Sequence, residues 1–141
     1  MKTISLYYYN GKIFIIPNSV LNNGPKVLSG PPLVLELIEG EIKNGILQTL
    51  NHCGYLNEEP EENYFNHFLK LSKAKTNKNL VEKGKLIGIS EKDNIFYLTR
   101  MSSNLKYKSF ESDEKIEFKK TDISEMVEMI VKHLTPITLS N

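Results

Sequence analysis

An α+β fold is predicted for this chain: a single domain over residues 1–141, with an antiparallel β-sheet built from hairpins and about three α-helices packed on or beside it. Three observations predict it. Ile4–Pro17 holds two runs of β-branched and aromatic residues around Asn10-Gly11, the strongest short-range hairpin signal. Glu39–Cys53 and the stretch from Asp122 to Pro136 carry apolar residues at helical spacing, each with start and stop signals. No internal repeat, low-complexity run or linker divides the 141 residues, and that length buries a core without staples.

The opening hairpin organises the rest. Asn10 and Gly11 both tolerate the positive φ that a type I′ turn requires. Leu6, Tyr8, Ile13 and Ile15 fall on alternate positions, and the intervening residues are also largely apolar, so both faces of the pair are expected to be partly covered. Pro17, which cannot donate to a ladder, is expected to end the second strand. Asn18–Pro32 reads as a long loop of turn clusters around Lys26-Val27-Leu28. Leu33–Ile38 follows two prolines and is read as a short extended segment.

The Glu39–Cys53 helix would bury Ile42, Ile46, Leu47, Leu50 and Cys53, with Glu39 and Glu41 at its acid-favouring end and Gly54 after it. Gly45 in its middle costs on the order of 1 kcal/mol against alanine. Pro60 is placed at the first position of a second helix that runs to about Lys73 and buries Tyr64, Phe65, Phe68 and Leu69. Past Asn79 the pattern returns to strands. Lys85–Ser90 and Ile95–Arg100 read as one hairpin, and Tyr107–Phe110 and Lys115–Phe118 as another around Glu111–Glu114. The last helix has Asp122 and Glu125 spaced as a capping box, an apolar stripe through Ile123, Met126, Val127, Ile130 and Leu134, and Pro136 as its stop.

Composition excludes more than it assigns. Lys+Arg is 18 against 17 for Asp+Glu, so no global charge bias favours nucleic acid or an anionic membrane. All of the basic residues but Arg100 are Lys, which counts against base readout and bidentate phosphate clamping. One cysteine, Cys53, allows no internal disulfide. The first residues lack a leader's apolar run, and no run of about 18 apolar residues exists to span a membrane. A cytoplasmic protein is expected.

Candidate chemistry is sparse. His52-Cys53 are neighbours on a helix and point about 100° apart, so Cys53 reads as a small buried hydrophobe rather than a nucleophile. His52, His67 and His133 lack the spacing of a helical zinc site. Gly84–Gly88 lacks the Gly-Lys-Ser/Thr of a phosphate loop, and no Gly-x-Ser-x-Gly is present. No catalytic, cofactor or metal residues are therefore assigned, and no enzyme activity is expected. Glu58, Glu59, Glu61 and Glu62 form an acidic cluster that is either a solvated helix start or a docking patch for a cationic partner. Lys70–Lys85 is a Lys-rich run, read as a solvated face or, alternatively, as a single-stranded nucleic-acid groove with Tyr97 or Tyr107 as stacking platforms. Tyr7, Tyr8 and Tyr9 serve either as sheet core or as interface anchors.

Two segments together resemble a known family. Tyr8–Pro17 (YYNGKIFIIP), followed by Gly30–Leu37 (GPPLVLEL) leading into the Glu41–Leu50 helix, is similar to the immunity proteins of bacterial contact-dependent growth inhibition systems. The likeness covers roughly the N-terminal half and lies in the order and character of the segments. It implies a cytoplasmic protein that binds the C-terminal toxin domain of its own strain's surface effector, commonly a nuclease, and blocks its active site or substrate path. Such proteins vary at the interface, so no site residue carries over by motif. Combined with the residues, it makes Glu58, Glu59, Glu61 and Glu62 the candidate toxin contacts, with carboxylates standing where RNA phosphates would lie. The alternative function is a single-stranded nucleic-acid-binding module using Lys70–Lys85 and the sheet tyrosines.

Overall fold

The structure, a computed structural model, describes residues 2–21, 26–53, 55–56, 60, 62–107 and 109–135. These residues form an eight-stranded sheet with helices on both faces. Its strands are β1 (Lys2–Tyr9), β2 (Lys12–Leu21), β3 (Lys26–Leu28), β4 (Leu33–Leu35), β5 (Tyr55–Leu56), β6 (Lys85–Lys92), β7 (Ile95–Asn104) and β8 (Ser109–Lys119). The helices are α1 (Glu39–Leu50), α2 (Tyr64–Ser72), α3 (Asn77–Lys83) and α4 (Ile123–Leu134). The main path runs β3-β2-β1-β6-β7-β8, with β4 also paired to β2. Every pairing is antiparallel except β5, which adds two residues parallel to the end of β2.

The Asn10-Gly11 turn forms as its residues demand, with φ of 53° and 77°. It places Leu6 opposite Ile15 and Tyr8 opposite Ile13. A second turn of the same kind, Asp93 and Asn94 at φ 53° and 64°, joins β6 to β7. β1 lies inside the sheet between β2 and β6, and the first hairpin is covered on its first face and on the Tyr7–Phe14–Ile16 part of its second. On the first face Ile4, Leu6, Ile13, Ile15, Ile87 and Ile89 pack against α1 and α4. On the second face Tyr7, Tyr9, Phe14 and Ile16 pack against Phe68 of α2 and Leu80 of α3.

Gly45 has a packing reason. A Cβ there would stand 2.6 Å from Leu35 Cδ1 and 3.1 Å from Ile15 Cδ1, so α1 approaches the sheet through that gap. The helix propensity lost at Gly45 is offset by this close approach.

Several expectations are corrected. β2 does not end at Pro17 but runs on to Leu21. The N and C=O of one residue point to the same side of a strand, and Pro17 C=O accepts from Ser29 N–H at 2.9 Å, on the side away from β1. The missing donor therefore faces a place where β3 has already ended, and the β1–β2 ladder loses nothing. The Asn18–Pro32 stretch is not one loop: its start belongs to β2 and its middle to β3. Pro60 does not open α2. Asn63 caps it, its side-chain oxygen accepting from Asn66 N–H at 3.1 Å, and no acid lies in the first turn. A helix not expected from the sequence, α3, starts at Thr76, which accepts from Asn79 N–H at 3.2 Å. Glu111–Glu114 is not a turn, because β8 runs straight through it with a bulge opposite Arg100/Met101. The reversal instead begins after Asn104, whose side chain accepts from Tyr107 N–H at 3.3 Å. The capping box is not formed. Asp122 ends a 3-10 turn at φ −99°, ψ 25°, not in the extended conformation a capping side chain needs, and makes no capping bond. Gly54 lies outside the described residues.

Candidate interaction surface

The second face of the sheet changes character along its strands. The pairing registers align rows of side chains across β2, β1, β6, β7 and β8. One row contains Phe14, Tyr7 and Leu86, and the α2 ring of Phe68 sits on it, with centroids 4.5 Å from Tyr7 and 5.2 Å from Phe14. Burial there pushes the Tyr7 hydroxyl pKa up to about 12. The next row reads Ile16, Ser5, Gly88, Thr99, Lys115. The one after reads Asn18, Thr3, Ser90, Tyr97, Glu117, and a shorter last row reads Lys92, Ile95, Lys119.

Apart from Leu28, which stands opposite Asn18 and packs with the α2 cluster, no apolar side chain of the rows beyond Ile16 joins a cluster with a described helix. Their small polar side chains bond along the surface: Asn18 Nδ2 donates to Ser5 Oγ at 3.1 Å, and the Thr3 and Ser90 hydroxyls lie 3.4 Å apart. Tyr97 is half-buried, with Lys115 Nζ 4.8 Å from its ring centroid. An antiparallel sheet can leave such a face to water, which is the simplest account of its hydroxyls.

The acidic cluster is only partly placed. Glu58, Glu59 and Glu61 lie outside the described residues. Glu62 is exposed just before α2, 3.4 Å from His67 Nε2, and lines a shallow cavity of about 350 Å³ with Val27, Leu28 and Phe65. The Lys-rich run does not form one groove. Lys70, Lys73, Lys75 and Lys78 are exposed around the α2–α3 turn, while Lys85 lies on the opposite face and donates to the His133 carbonyl of α4 at 2.9 Å. Burial, with Lys85 and Arg100 nearby, pushes the His133 imidazole pKa down. Tyr107 is exposed beyond β7, next to Lys106, and Tyr97 is on the open rows, so the two tyrosines do not share a platform.

His52 and Cys53 diverge. His52 is exposed, whereas the half-buried Cys53 thiol donates to Thr3 C=O at 3.2 Å, and burial pushes its pKa up. His52 borders a cleft of about 380 Å³ that also has Pro17, Pro31, Pro32, Gln48 and Thr49 in its walls. Gly30 stands beside this cleft because a Cβ there would be 3.0 Å from Pro17 Cγ. Among the described residues no three His, Cys, Asp or Glu side chains gather as a metal site would require. No described helix is long and apolar enough to cross a membrane.

The open rows carry no pattern along the sequence. Gly88 inside a strand run was the available signal, since an isolated strand glycine often marks a close approach by another backbone.

No protein-family model matches this chain, and no curated protein matches it by sequence. Solved structures do match. A protein of unknown function from Neisseria meningitidis superposes with a TM-score of 0.70 at 11% identity, over 93% of this chain and 91% of that one. A chain of the CdiA-CT/CdiI toxin and immunity complex from Yersinia pseudotuberculosis superposes with a TM-score of 0.67 at 9% identity, over 95% of this chain and 97% of that one. At these identities the likeness is one of fold.

Proposed function

We propose that this protein is an immunity protein. It binds the C-terminal toxin domain of its cognate contact-dependent growth inhibition effector in the cytoplasm and neutralises it by covering the active site or substrate path. The observation that supports this most is the match to a chain of a toxin and immunity complex, end to end in both chains. The residues agree with a protein that acts by surface fit. The polar groups that face each other, such as Ser5 with Asn18, belong to a surface and not to an enclosed pocket. A nuclease is the toxin class that suits Glu58, Glu59, Glu61 and Glu62 as contacts, because a surface built to hold phosphates attracts carboxylates.

The test is co-expression with the C-terminal domain encoded by the reading frame directly upstream. The expected result is co-purification and protection of cells that express that domain. Replacing Glu58, Glu59, Glu61 and Glu62 together by Ala is expected to weaken binding at least tenfold. Absence of any complex with the unaltered protein overturns the reading.

A further inference from the structure

We propose that the open rows of the second sheet face are a docking surface for the toxin domain, and that they receive a segment of it bearing acidic side chains. This rests on the immunity reading above and concerns residues other than the four glutamates.

The first support is the glycine. Gly88 lies in mid-strand, flanked by Ser5 of β1 and Thr99 of β7. Its φ is not positive, so no turn or left-handed conformation demands glycine. A Cβ there would meet Met101 Cε at 3.6 Å and Thr99 Cβ at 3.8 Å, both ordinary contacts. Nothing within the described fold therefore requires Gly88, although a strand-interior glycine is destabilising. A partner backbone laid close over the sheet would account for it.

The second support is charge. Lys92, Lys115 and Lys119 are exposed on this face, and Glu117 is the one acid in the same rows. None of the three lysines forms an ion pair among the described residues, whereas Lys12, Lys78 and Lys120 each do. Lys115 lies over the Tyr97 ring, and like charges around this polar centre are complementary to an acidic partner. Tyr97 at that centre offers an amphipathic anchor of the kind enriched at binding hot spots. The third support is rigidity. The centre of the rows lies on β1, β6 and β7, interior strands of the sheet, so little ordering is lost there on docking.

A nucleic acid suits the face less well. Sequence-tolerant single-strand binding uses successive aromatic platforms, and these rows carry one aromatic ring, Tyr97.

The experiment uses the full chain and the C-terminal domain encoded directly upstream, with affinity measured by calorimetry and thermal midpoints recorded for every variant. The triple variant Lys92→Glu, Lys115→Glu, Lys119→Glu is expected to bind at least 100-fold more weakly with an unchanged midpoint. Gly88→Arg is expected to lose at least tenfold; should it fail to fold, the lysine variant decides. If the triple variant binds within twofold of the unaltered protein while the four-glutamate variant loses binding, the surface is overturned and the immunity reading stands. If the unaltered protein forms no complex, both are overturned. If a fluorescent 20-nucleotide oligothymidine binds the unaltered protein in salt-sensitive fashion and not the triple variant, the face belongs to nucleic acid, and the proposal is overturned.

Discussion

The covered and open halves of the second sheet face share strands, register and twist, yet they are held to different standards. Over Phe14, Tyr7 and Leu86 the face is closed by α2 and α3, and Phe68 is fully buried between rings. Two residues further along the same strands the side chains are Ser5, Gly88, Thr99, Thr3 and Ser90, and none of them belongs to a cluster with a described helix. The first half supplies burial, the dominant favourable term in folding. The second half contributes backbone pairing and short polar bonds such as Asn18–Ser5, with its side chains half-buried and no apolar cluster over them. A single sheet can thus be scaffold at one end and surface at the other, and the boundary lies within individual strands.

The largest expected effect breaks this comparison if it fails. Phe68→Ala removes a fully buried ring that touches Tyr7, Phe14 and Phe65, and is expected to cost about 3–5 kcal/mol. Tyr97→Ala, on the open rows, is expected to cost about 1 kcal/mol, the scale of a cross-strand pair. Urea midpoints for both variants at a common slope check the difference. Equal losses would mean that the open half is as structural as the covered one.

Two glycines sharpen the contrast further. Gly45 is fixed by contacts within the protein, with Leu35 and Ile15 side chains filling the place of a Cβ. Gly45→Val is expected to cost about 1–3 kcal/mol through overpacking, beyond any gain in helix propensity. Urea unfolding measures this as well. A neutral result would mean that Leu35, near the sheet edge, moves aside freely.

What could be read from the sequence divides along the same line. Elements whose pattern follows from burial were legible. The Asn10-Gly11 hairpin, the Ile42–Ile46–Leu50 stripe of α1 and the Met126–Val127–Ile130–Leu134 stripe of α4 all appear in the first-face core. Elements fixed by local hydrogen bonds were misplaced. Asp122 and Glu125 have the spacing of a capping box, but the preceding 3-10 turn withholds the required backbone conformation. Glu111–Glu114 looked like a turn because β8 is an edge strand whose middle is exposed on both sides, so its alternation carries no apolar signal. The open rows were invisible for a related reason. Ser, Thr and Gly in a strand are unremarkable one at a time, and only the register places Thr3, Ser90 and Tyr97 side by side. Of the acidic candidates, Glu62 alone is described, and it faces His67 at the α2 start.

The helix that closes the covered half depends on its cap. Asn63→Ala removes the acceptor for Asn66 N–H and is expected to cost about 1 kcal/mol. Asp122→Ala, which breaks no capping bond, is expected to cost only about 0.3 kcal/mol through the helix dipole. Thermal midpoints of the two variants rank them, and the reverse ranking would restore the capping box to α4.

The smallest expected change is also the one with two signs. Gly88→Ala adds a methyl group at ordinary contact distance from Met101 and Thr99, in a strand where glycine is the poorer residue. Stability should therefore rise by about 0.5–1 kcal/mol, read from the urea midpoint. Affinity for the toxin domain should fall, because the added methyl stands where a partner backbone must lie. A packing role for Gly88 would instead lower both quantities, and a solvent-facing role would raise the first and leave the second unchanged. Opposite signs arise only if the glycine is kept for something outside the fold.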